Sequence, residues 1–330
     1  MSCIRKNYNK KIFTEAHNLS DHLIGCFLKD KDLKKIHVIR NFKNSNLKDN
    51  RIQYHYVSEN NTQDKVFQLL DIKDMILIAP ESEQINIKIF KKLNKKFNLL
   101  NSNYNVHKFF SSKKKTYEIL SKKKIPVVKI ERKVTNNSNF CFITKPVYGA
   151  GSENVNLIKS KLNIKNDKHL IIQKYYTGIK GSFTMICKGK SVEVLSCSEQ
   201  IIDIKNKRIF QKGLIIGGLE KYREDFRQLS KKIISIFPGF FGFIGVDVIK
   251  IENVWHILEI NTRFTSSLLG IESAYGNEAV KKITNLYLNK KIDTKKIELK
   301  KITLPGNRYW RSSHQNCWTR SISKYLLDQI

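Results

Sequence analysis

The sequence predicts an α/β unit at the amino terminus followed by a larger α+β unit. In the first third of the chain, apolar runs that end in turn signals alternate with segments of helical spacing. Beyond residue 140, short segments with the character of strands dominate. The length of 330 residues and the 41% hydrophobic content allow a substantial core and two or three subdomains.

The amino-terminal unit is predicted to contain a parallel sheet. Ile36–Ile39 and Asp74–Pro80 have the composition of buried strands, while Ser20–Leu28 and Asn86–Leu100 have helical spacing. Such alternation favours parallel strands with helices packed on them. Residues 41–50 form a polar segment that predicts a loop.

The rest of the chain is predicted to be mostly antiparallel. Ser111 and Ser112 are candidate caps for a helix from Lys113 to Lys123, and a second helix is expected over Glu220–Phe237. The predicted strands are Ile125–Val128, Phe140–Pro146, Leu170–Lys174, Phe183–Lys188, Ser191–Cys197, Phe243–Ile251 and Val254–Ile260. Strands without regular intervening helices indicate an α+β arrangement.

Composition limits the classes of function. The net charge of +32 suits nucleic acid, but the basic residues are mostly lysines spread over the whole length, which favours a solvated lysine surface. Attraction of anionic substrates and nucleic-acid binding are the alternatives. No apolar run approaches the roughly 20 residues that span a bilayer, and the start lacks a secretory apolar region, so we expect a cytoplasmic protein without membrane contact. Six scattered cysteines without a C-x-x-C pair indicate neither a zinc site nor a disulfide framework.

A lysine at a strand end begins the first candidate site. Lys145 is preceded by apolar residues and followed by Pro-x-x-Gly-x-Gly-Ser, which ends at Ser152. The ammonium group can meet phosphate oxygens while the N–H groups of a glycine-rich loop wrap around them. The spacing is not that of a Walker A sequence, and a simple hairpin turn is the alternative interpretation.

Acidic and amide side chains on two later strands form the second candidate site. Asp247 and Glu259 lie on consecutive predicted strands, and Glu259 and Asn261 point to the same face. Hard oxygen ligands of this kind suit Mg²⁺ beside a polyphosphate. Arg263 continues the alternation and is placed to neutralise a transferring phosphoryl group. The alternative is that the carboxylates simply face solvent.

Together with Ile171–Gly178 between them, these two segments resemble the successive signatures of the ATP-grasp superfamily of carboxylate–amine ligases. The match runs from Met75 to Asn289. Within that superfamily the chain is similar to the tyramine–glutamate ligase group of methanofuran and methylofuran biosynthesis. The segments that carry this likeness are Ile78–Glu81, Lys113-x-x-Thr116-Tyr117, Lys145–Ser152, Gly242–Asp247 and Glu259–Ser267.

The resemblance implies an ATP-grasp fold behind an amino-terminal parallel α/β domain. It implies boundaries at residues 1–110, 111–178 for the nucleotide lid, 179–300 for the metal and substrate subdomain, and 301–330 for a tail of unknown role. It further implies that ATP and Mg²⁺ or Mn²⁺ are bound. The implied nucleotide contacts are Lys113, Lys145, Gly149, Gly151, Ser152, Gln173, Lys174 and Tyr176. The implied metal ligands are Asp247, Glu259 and Asn261, with Arg263 and Lys145 as the catalytic residues.

Some positions depart from the family pattern. Ser182 stands near the usual place of a ribose-binding glutamate, Glu199 replaces a cation of the subgroup, and Thr262 stands where proline is commoner. The glycine-rich loop usual after the first strand is absent, because Lys11–Ala16 runs directly toward a helix.

The reaction implied is an ADP-forming ligation of glutamate to tyramine, tyrosine or a related amine for a one-carbon cofactor. Small-molecule substrates are the expected partners, and a homodimer is a further option. Another ATP-grasp amino-acid or peptide ligase, and a non-catalytic nucleotide- or nucleic-acid-binding protein of the same fold, stay open as alternatives.

Overall fold

The computed structural model describes residues 10–40, 47–58, 63–131, 141–152, 154–159, 167–289, 291–293, 295 and 297–302. Most of the predicted tail at 301–330 and part of the polar segment at 41–50 therefore lie outside the described residues. Within the described residues, no helix is both long and apolar enough to cross a bilayer.

The amino-terminal unit alternates helices with short parallel strands. Its elements are α1 (Lys10–Leu28), β1 (Ile36–Arg40), β2 (Ile52–Tyr56), α2 (Gln63–Leu69), β3 (Asp74–Met75), α3 (Ile85–Leu93), β4 (Asn98–Leu99) and α4 (Tyr104–Phe110). Strand β1 pairs with β2 and β3 pairs with β4, both in parallel, so the predicted parallel arrangement is confirmed.

Two predicted elements of this unit are shorter than expected. The helix predicted over Asn86–Leu100 ends at Leu93, because Asn98 and Leu99 pair with β3 as a strand. The strand predicted over Asp74–Pro80 ends at Met75. The side chain of Asn101 then takes the place of a strand partner, since it accepts from the Leu77 N–H at 2.9 Å and donates to the Leu77 carbonyl at 3.0 Å.

Helix α5 (Lys113–Lys122) joins this unit to the large sheet. Its amino terminus is capped by the side chain of Ser112, which accepts from the backbone N–H of Lys115 and satisfies a donor that has no partner within the helix. The strand predicted at Ile125–Val128 does not form. Val127 makes only an isolated bridge with Ile257.

The large sheet has eight strands in the order β12-β11-β8-β9-β10-β6-β5-β7. Its described pairs are all antiparallel, as predicted for this part of the chain. The strands are β5 (Cys141–Pro146), β6 (Asn156–Lys159), β7 (Leu170–Lys174), β8 (Lys180–Lys188), β9 (Ser191–Lys205), β10 (Arg208–Ile216), β11 (Phe241–Ile251) and β12 (Val254–Asn261). Strands β6 and β10 were not predicted, and β9 extends beyond the predicted end at Cys197.

Three helices cover the faces of this sheet: α6 (Arg223–Ile234), α7 (Leu268–Tyr275) and α8 (Asn277–Leu288). The helix predicted over Glu220–Phe237 begins as a 3-10 turn at Glu220–Tyr222 and ends at Ile234. Phe226 of α6 stacks on Phe183 of β8 with ring centroids 4.9 Å apart, and both side chains are fully buried. Each such side chain stabilises the fold by about 1.5 to 3 kcal/mol. Helix α6 thus covers one face of the sheet, and α7 and α8 pack in a separate core cluster on the other face.

Candidate active site

One cleft gathers every site residue predicted from the sequence. Its walls come from seven strands of the large sheet, from the loops after β5, β7 and β12, and from α1 and the start of α5. The predicted residues that line it are Lys113, Lys145, Gly149, Gly151, Ser152, Gln173, Lys174, Tyr176, Asp247, Glu259, Asn261 and Arg263. The structure thus brings the two separate sequence segments together, while the role of each residue stays a prediction.

The two carboxylates face each other across neighbouring strands. Asp247 of β11 pairs in register with Glu259 of β12, and Asn261 lies two residues further along the same strand. Burial raises the pKa of Asp247 to about 7, and the charge of Glu259 adds to this, whereas Lys145 and Lys113 oppose it. The Gln200 side-chain amide donates to Asp247 Oδ1 at 2.8 Å. Two close carboxylates in a buried place favour binding of a cation.

The oxygen ligands in the cleft suit a hard divalent cation whose coordination is completed by the substrate. In the described chain, no group of three or more His, Cys, Asp or Glu residues is arranged to hold a metal ion. Asp247, Glu259 and Asn261 supply two carboxylates and one amide oxygen. Mg²⁺ commonly accepts such a set and completes its octahedron with water and phosphate oxygens.

Two lysines stand against these carboxylates. The Lys113 ammonium donates to the Gly149 carbonyl at 2.8 Å and to Glu259 Oε1 at 3.1 Å. Burial lowers the pKa of Lys145 to about 8, and the charge of Lys113 acts in the same direction, while Glu259 and Asp247 act against it. Two cations held at one wall of a cleft are suited to polyphosphate.

The loop after β5 has a backbone shape that glycine permits. Gly151 has φ of 65° and Ser152 has φ of 60°, so both lie in the left-handed region. Such conformations turn successive N–H groups toward a common concave side, which suits an anion.

Gln173 offers an acceptor that has no partner. Its side chain is 3% exposed, and its Nε2 donates to the carbonyl of Val128 at 2.8 Å. Its Oε1 is buried and has no hydrogen-bond partner among the described residues. A buried acceptor without a partner costs about 1 to 3 kcal/mol, so this atom favours a ligand that brings a donor.

Arg263 lies just beyond β12 rather than on the strand itself. Its Nε and Nη2 donate to the carboxylate of Glu81 at 2.8 and 2.7 Å, and its Nη1 donates to the carbonyl of Phe264. Burial by itself raises the pKa of Glu81, but the charge and hydrogen bonds of Arg263 outweigh this and lower it. The sequence placed Arg263 in the site and gave no role to Glu81.

His107 supports the same loop from α4. Its Nδ1 lies 2.7 Å from Thr262 Oγ1, and its Nε2 lies 3.4 Å from the Asn86 side-chain nitrogen. Thr262 stands between Asn261 and Arg263, so the hydroxyl that replaces the family's usual proline has a buried partner here.

The residues that depart from the family pattern do not all line the cleft. Ser182 lines the cleft and pairs in register with Asp247. Glu199 is not among the cleft residues, because its neighbour Gln200 takes the inward position on β9. Glu199 therefore does not line the cleft, and its effect on the charge beside the phosphates stays a prediction. Gln200 and Glu15, which also line the cleft, were missed, and the alternation along β9 would have identified Gln200 once the strand register was known.

Comparison with known proteins agrees with this geometry. Residues 110–267 match the family model described as an ATP-grasp domain. The chain is 23% identical over 276 residues to a tyramine–L-glutamate ligase of Methanocaldococcus jannaschii, covering 80% of each chain. It is 26% identical over 140 residues to the enzyme of that name from Methanocaldococcus fervens, where the match covers 41% of this chain and 45% of the relative. The chain thus spans less than half of the second relative.

The fold is also similar to that of solved structures. A carboxyaminoimidazole ribonucleotide synthase from Aspergillus clavatus, complexed with ATP, aligns with a TM-score of 0.63 at 14% identity. The alignment covers 88% of this chain and 79% of that one. Residues 110–267 therefore match an ATP-grasp domain.

Proposed function

We propose that this enzyme joins the carboxylate of glutamate to tyramine, tyrosine or a related amine, with ATP converted to ADP, in the synthesis of a methylofuran-type one-carbon cofactor. The observation that carries the proposal is the convergence of Lys113, Lys145, Asp247 and Glu259 in one cleft. Similarity to the two tyramine–L-glutamate ligases supports the choice of substrates.

The nucleotide is proposed to bind between β7 and the loop after β5. Gln173 Oε1 accepts a hydrogen bond from the adenine amino group, and the backbone of Lys174 and Tyr176 holds the base edge. Lys113 and Lys145 contact the phosphates, while the loop that contains Gly149, Gly151 and Ser152 covers them.

Asp247, Glu259 and Asn261 would hold Mg²⁺ or Mn²⁺. When bound, such a cation neutralises phosphate charge. Glu259 Oε1 accepts from Lys113 in this structure, so the Glu259 carboxylate would be shared between the lysine and the cation.

The chemistry proposed is transfer of the γ-phosphoryl group of ATP to the substrate carboxylate, followed by displacement of phosphate by the amine. Such transfer needs positioning and charge neutralisation and no covalent nucleophile from the protein. Lys145 and Arg263 supply fixed positive charge at this end of the cleft. Arg263 keeps its orientation through Glu81.

The test is product formation by the purified chain. With Mg-ATP, glutamate and a panel of amines, ADP release should require both co-substrates and be fastest with tyramine or tyrosine. Mass spectrometry should identify a glutamyl amide. ADP release without an amide from any aromatic amine, or equal rates with D-alanine, would reject these substrates and favour another amino-acid ligase. ATP binding without turnover for any pair would favour the non-catalytic alternative.

A further inference from the structure

We propose that Glu15 binds the ammonium group of the amino-acid substrate and makes the cleft selective for a carboxylate substrate with a free primary amine. The inference rests on the proposed function and adds a substrate contact that the ATP-grasp motifs do not contain.

Glu15 lines the cleft from helix α1, which the sequence did not place at the site. It lies in α1, in the stretch where the sequence lacks the glycine-rich loop of the family pattern, and it lines the cleft together with Arg263, Thr265 and Ser266. The helix is anchored behind it, because Leu19, Leu23 and Phe27 are buried in the same core cluster as α7 and α8. An ion pair of 2.8 Å between Asp21 and Arg40 ties α1 to β1. Glu15 is therefore presented by a fixed helix.

Among the carboxylates that line the cleft, Glu15 is the one with no hydrogen bond or ion pair to a described residue. Asp247 accepts from Gln200, and Glu259 accepts from Lys113. Glu15 makes no hydrogen bond or ion pair with any described residue, and its side chain is partly buried. A carboxylate in such a place gains most from a ligand that brings a positive charge.

The neighbouring cation, Arg263, is paired with Glu81 rather than with Glu15. Arg263 lies close enough for the charge of Glu15 to contribute to the raised pKa of its guanidinium. Its Nε and Nη2, however, are both bound to Glu81. Glu15 and Arg263 thus offer opposite charges at one end of the cleft, which suits a molecule with an ammonium and a carboxylate a few bonds apart.

The chemistry assigns the ammonium to the amino acid rather than to the attacking amine. The attacking nitrogen must be unprotonated when it displaces phosphate, and a carboxylate beside it would hold it as the ammonium ion. The α-ammonium of glutamate keeps its charge throughout the reaction, so Glu15 can hold it from binding to product.

The test compares glutamate with glutarate, which has both carboxylates and no amine, in wild type and in Glu15→Gln. Loss of one charged hydrogen bond should lower kcat/KM for glutamate by roughly 10- to 100-fold. The value for glutarate and the KM values for ATP and the amine should stay within twofold of wild type. Where glutarate is not turned over, its inhibition constant against glutamate replaces its kcat/KM. The matched control is Glu118→Gln, the same change at an exposed position on α5, which should alter none of these values.

Several outcomes would overturn the assignment. An unchanged glutamate-to-glutarate ratio in Glu15→Gln, while wild type forms the glutamyl amide, would reject Glu15 and leave the proposed function intact. A rise in KM for the amine alone would assign the ammonium to the other substrate and also reject the inference. If wild type forms no amide from glutamate, the proposed function fails. For whichever amino acid the enzyme then accepts, Glu15 is tested by the ratio of kcat/KM for that amino acid to kcat/KM for its analogue without the amine.

Discussion

Glu81 and Arg263, 182 residues apart, form an ion pair with two hydrogen bonds of 2.7 and 2.8 Å. The pair connects the amino-terminal α/β unit to the loop that follows β12. Glu81 is 3% exposed, so its carboxylate depends on this partner for stability in the folded chain.

Replacement of Glu81 by Gln should both destabilise the fold and slow turnover. Removing one partner of a buried ion pair typically costs roughly 3 to 5 kcal/mol, and the retained hydrogen-bonding shape of Gln places the expected loss near the lower end. Urea unfolding measures the change in the free energy of unfolding. Glu278→Gln, which breaks the exposed pair with Lys281, is the control and should cost less than about 1 kcal/mol. Equal losses of unfolding free energy in Glu81→Gln and Glu278→Gln would show that the Glu81–Arg263 pair stabilises the fold no more than an exposed pair does.

Replacement of Lys145 by Ala should reduce turnover far more than stability. One charge-stabilising group in a site of this kind is typically worth roughly 10² to 10³ in rate. Lys145→Met keeps most of the apolar stem and removes the charge, so it should lose as much activity as Lys145→Ala. Initial rates of ADP release and thermal unfolding of the same samples provide the comparison. A rate within twofold of wild type in Lys145→Met would remove Lys145 from the phosphate site.

Asp247→Asn and Glu259→Gln should each raise the Mg²⁺ concentration needed for half-maximal activity. The amide preserves the shape of the side chain but lacks the charge that a hard cation requires. Glu259→Gln should also loosen Lys113, whose ammonium donates to Glu259 Oε1. The measurement is activity against Mg²⁺ at saturating ATP. Unchanged Mg²⁺ dependence in both variants would show that these are ordinary strand carboxylates.

Strand alternation explains how much of this site could be predicted. Glu259 and Asn261 share a face because their side chains are two residues apart, and the sequence alone indicates this. The pairing of Glu259 with Asp247 of β11 needed only a hairpin between two apolar runs. The glycine-rich segment after β5 could also be predicted, because it directly follows an apolar run with the character of a strand.

Contacts between distant segments were not predictable in this way. Glu81 and His107 lie outside the large sheet, and their partners Arg263 and Thr262 follow the end of β12. No local periodicity encodes such a contact, because it depends on how the amino-terminal unit packs on the sheet. Asn101 is similar, since its amide replaces a strand partner for Leu77 and so ends a strand that its apolar run would have continued.

Gln173→Leu should raise the KM for ATP with a smaller effect on kcat. The Leu side chain has a similar size but lacks the unpartnered Oε1 that is proposed to accept from the adenine amino group. It also loses the hydrogen bond to Val128, so Gln173→Glu, which retains acceptors and lacks the Nε2 donor, separates the two effects. ATP titrations monitored by ADP release distinguish them. Equal KM values for ATP in wild type and Gln173→Leu would exclude Gln173 from the nucleotide site.

His107 should make the fold less stable as the pH falls below 6.5. Burial lowers the pKa of His107 to about 4, Glu81 acts against this shift, and Arg263 acts with it. Between pH 6.5 and 4 the unfolded chain therefore binds a proton that the folded chain excludes, and the free energy of unfolding decreases with falling pH. At about 1.4 kcal/mol for each unit of pKa shift, the loss approaches roughly 3 kcal/mol at the lower end of this range. In His107→Gln this contribution is absent, so the stability advantage of wild type over the variant should shrink steadily from pH 7 to pH 4.5. Urea unfolding of both proteins across that range measures the difference, and a difference that does not change with pH would mean that His107 is protonated equally in the folded and unfolded chains.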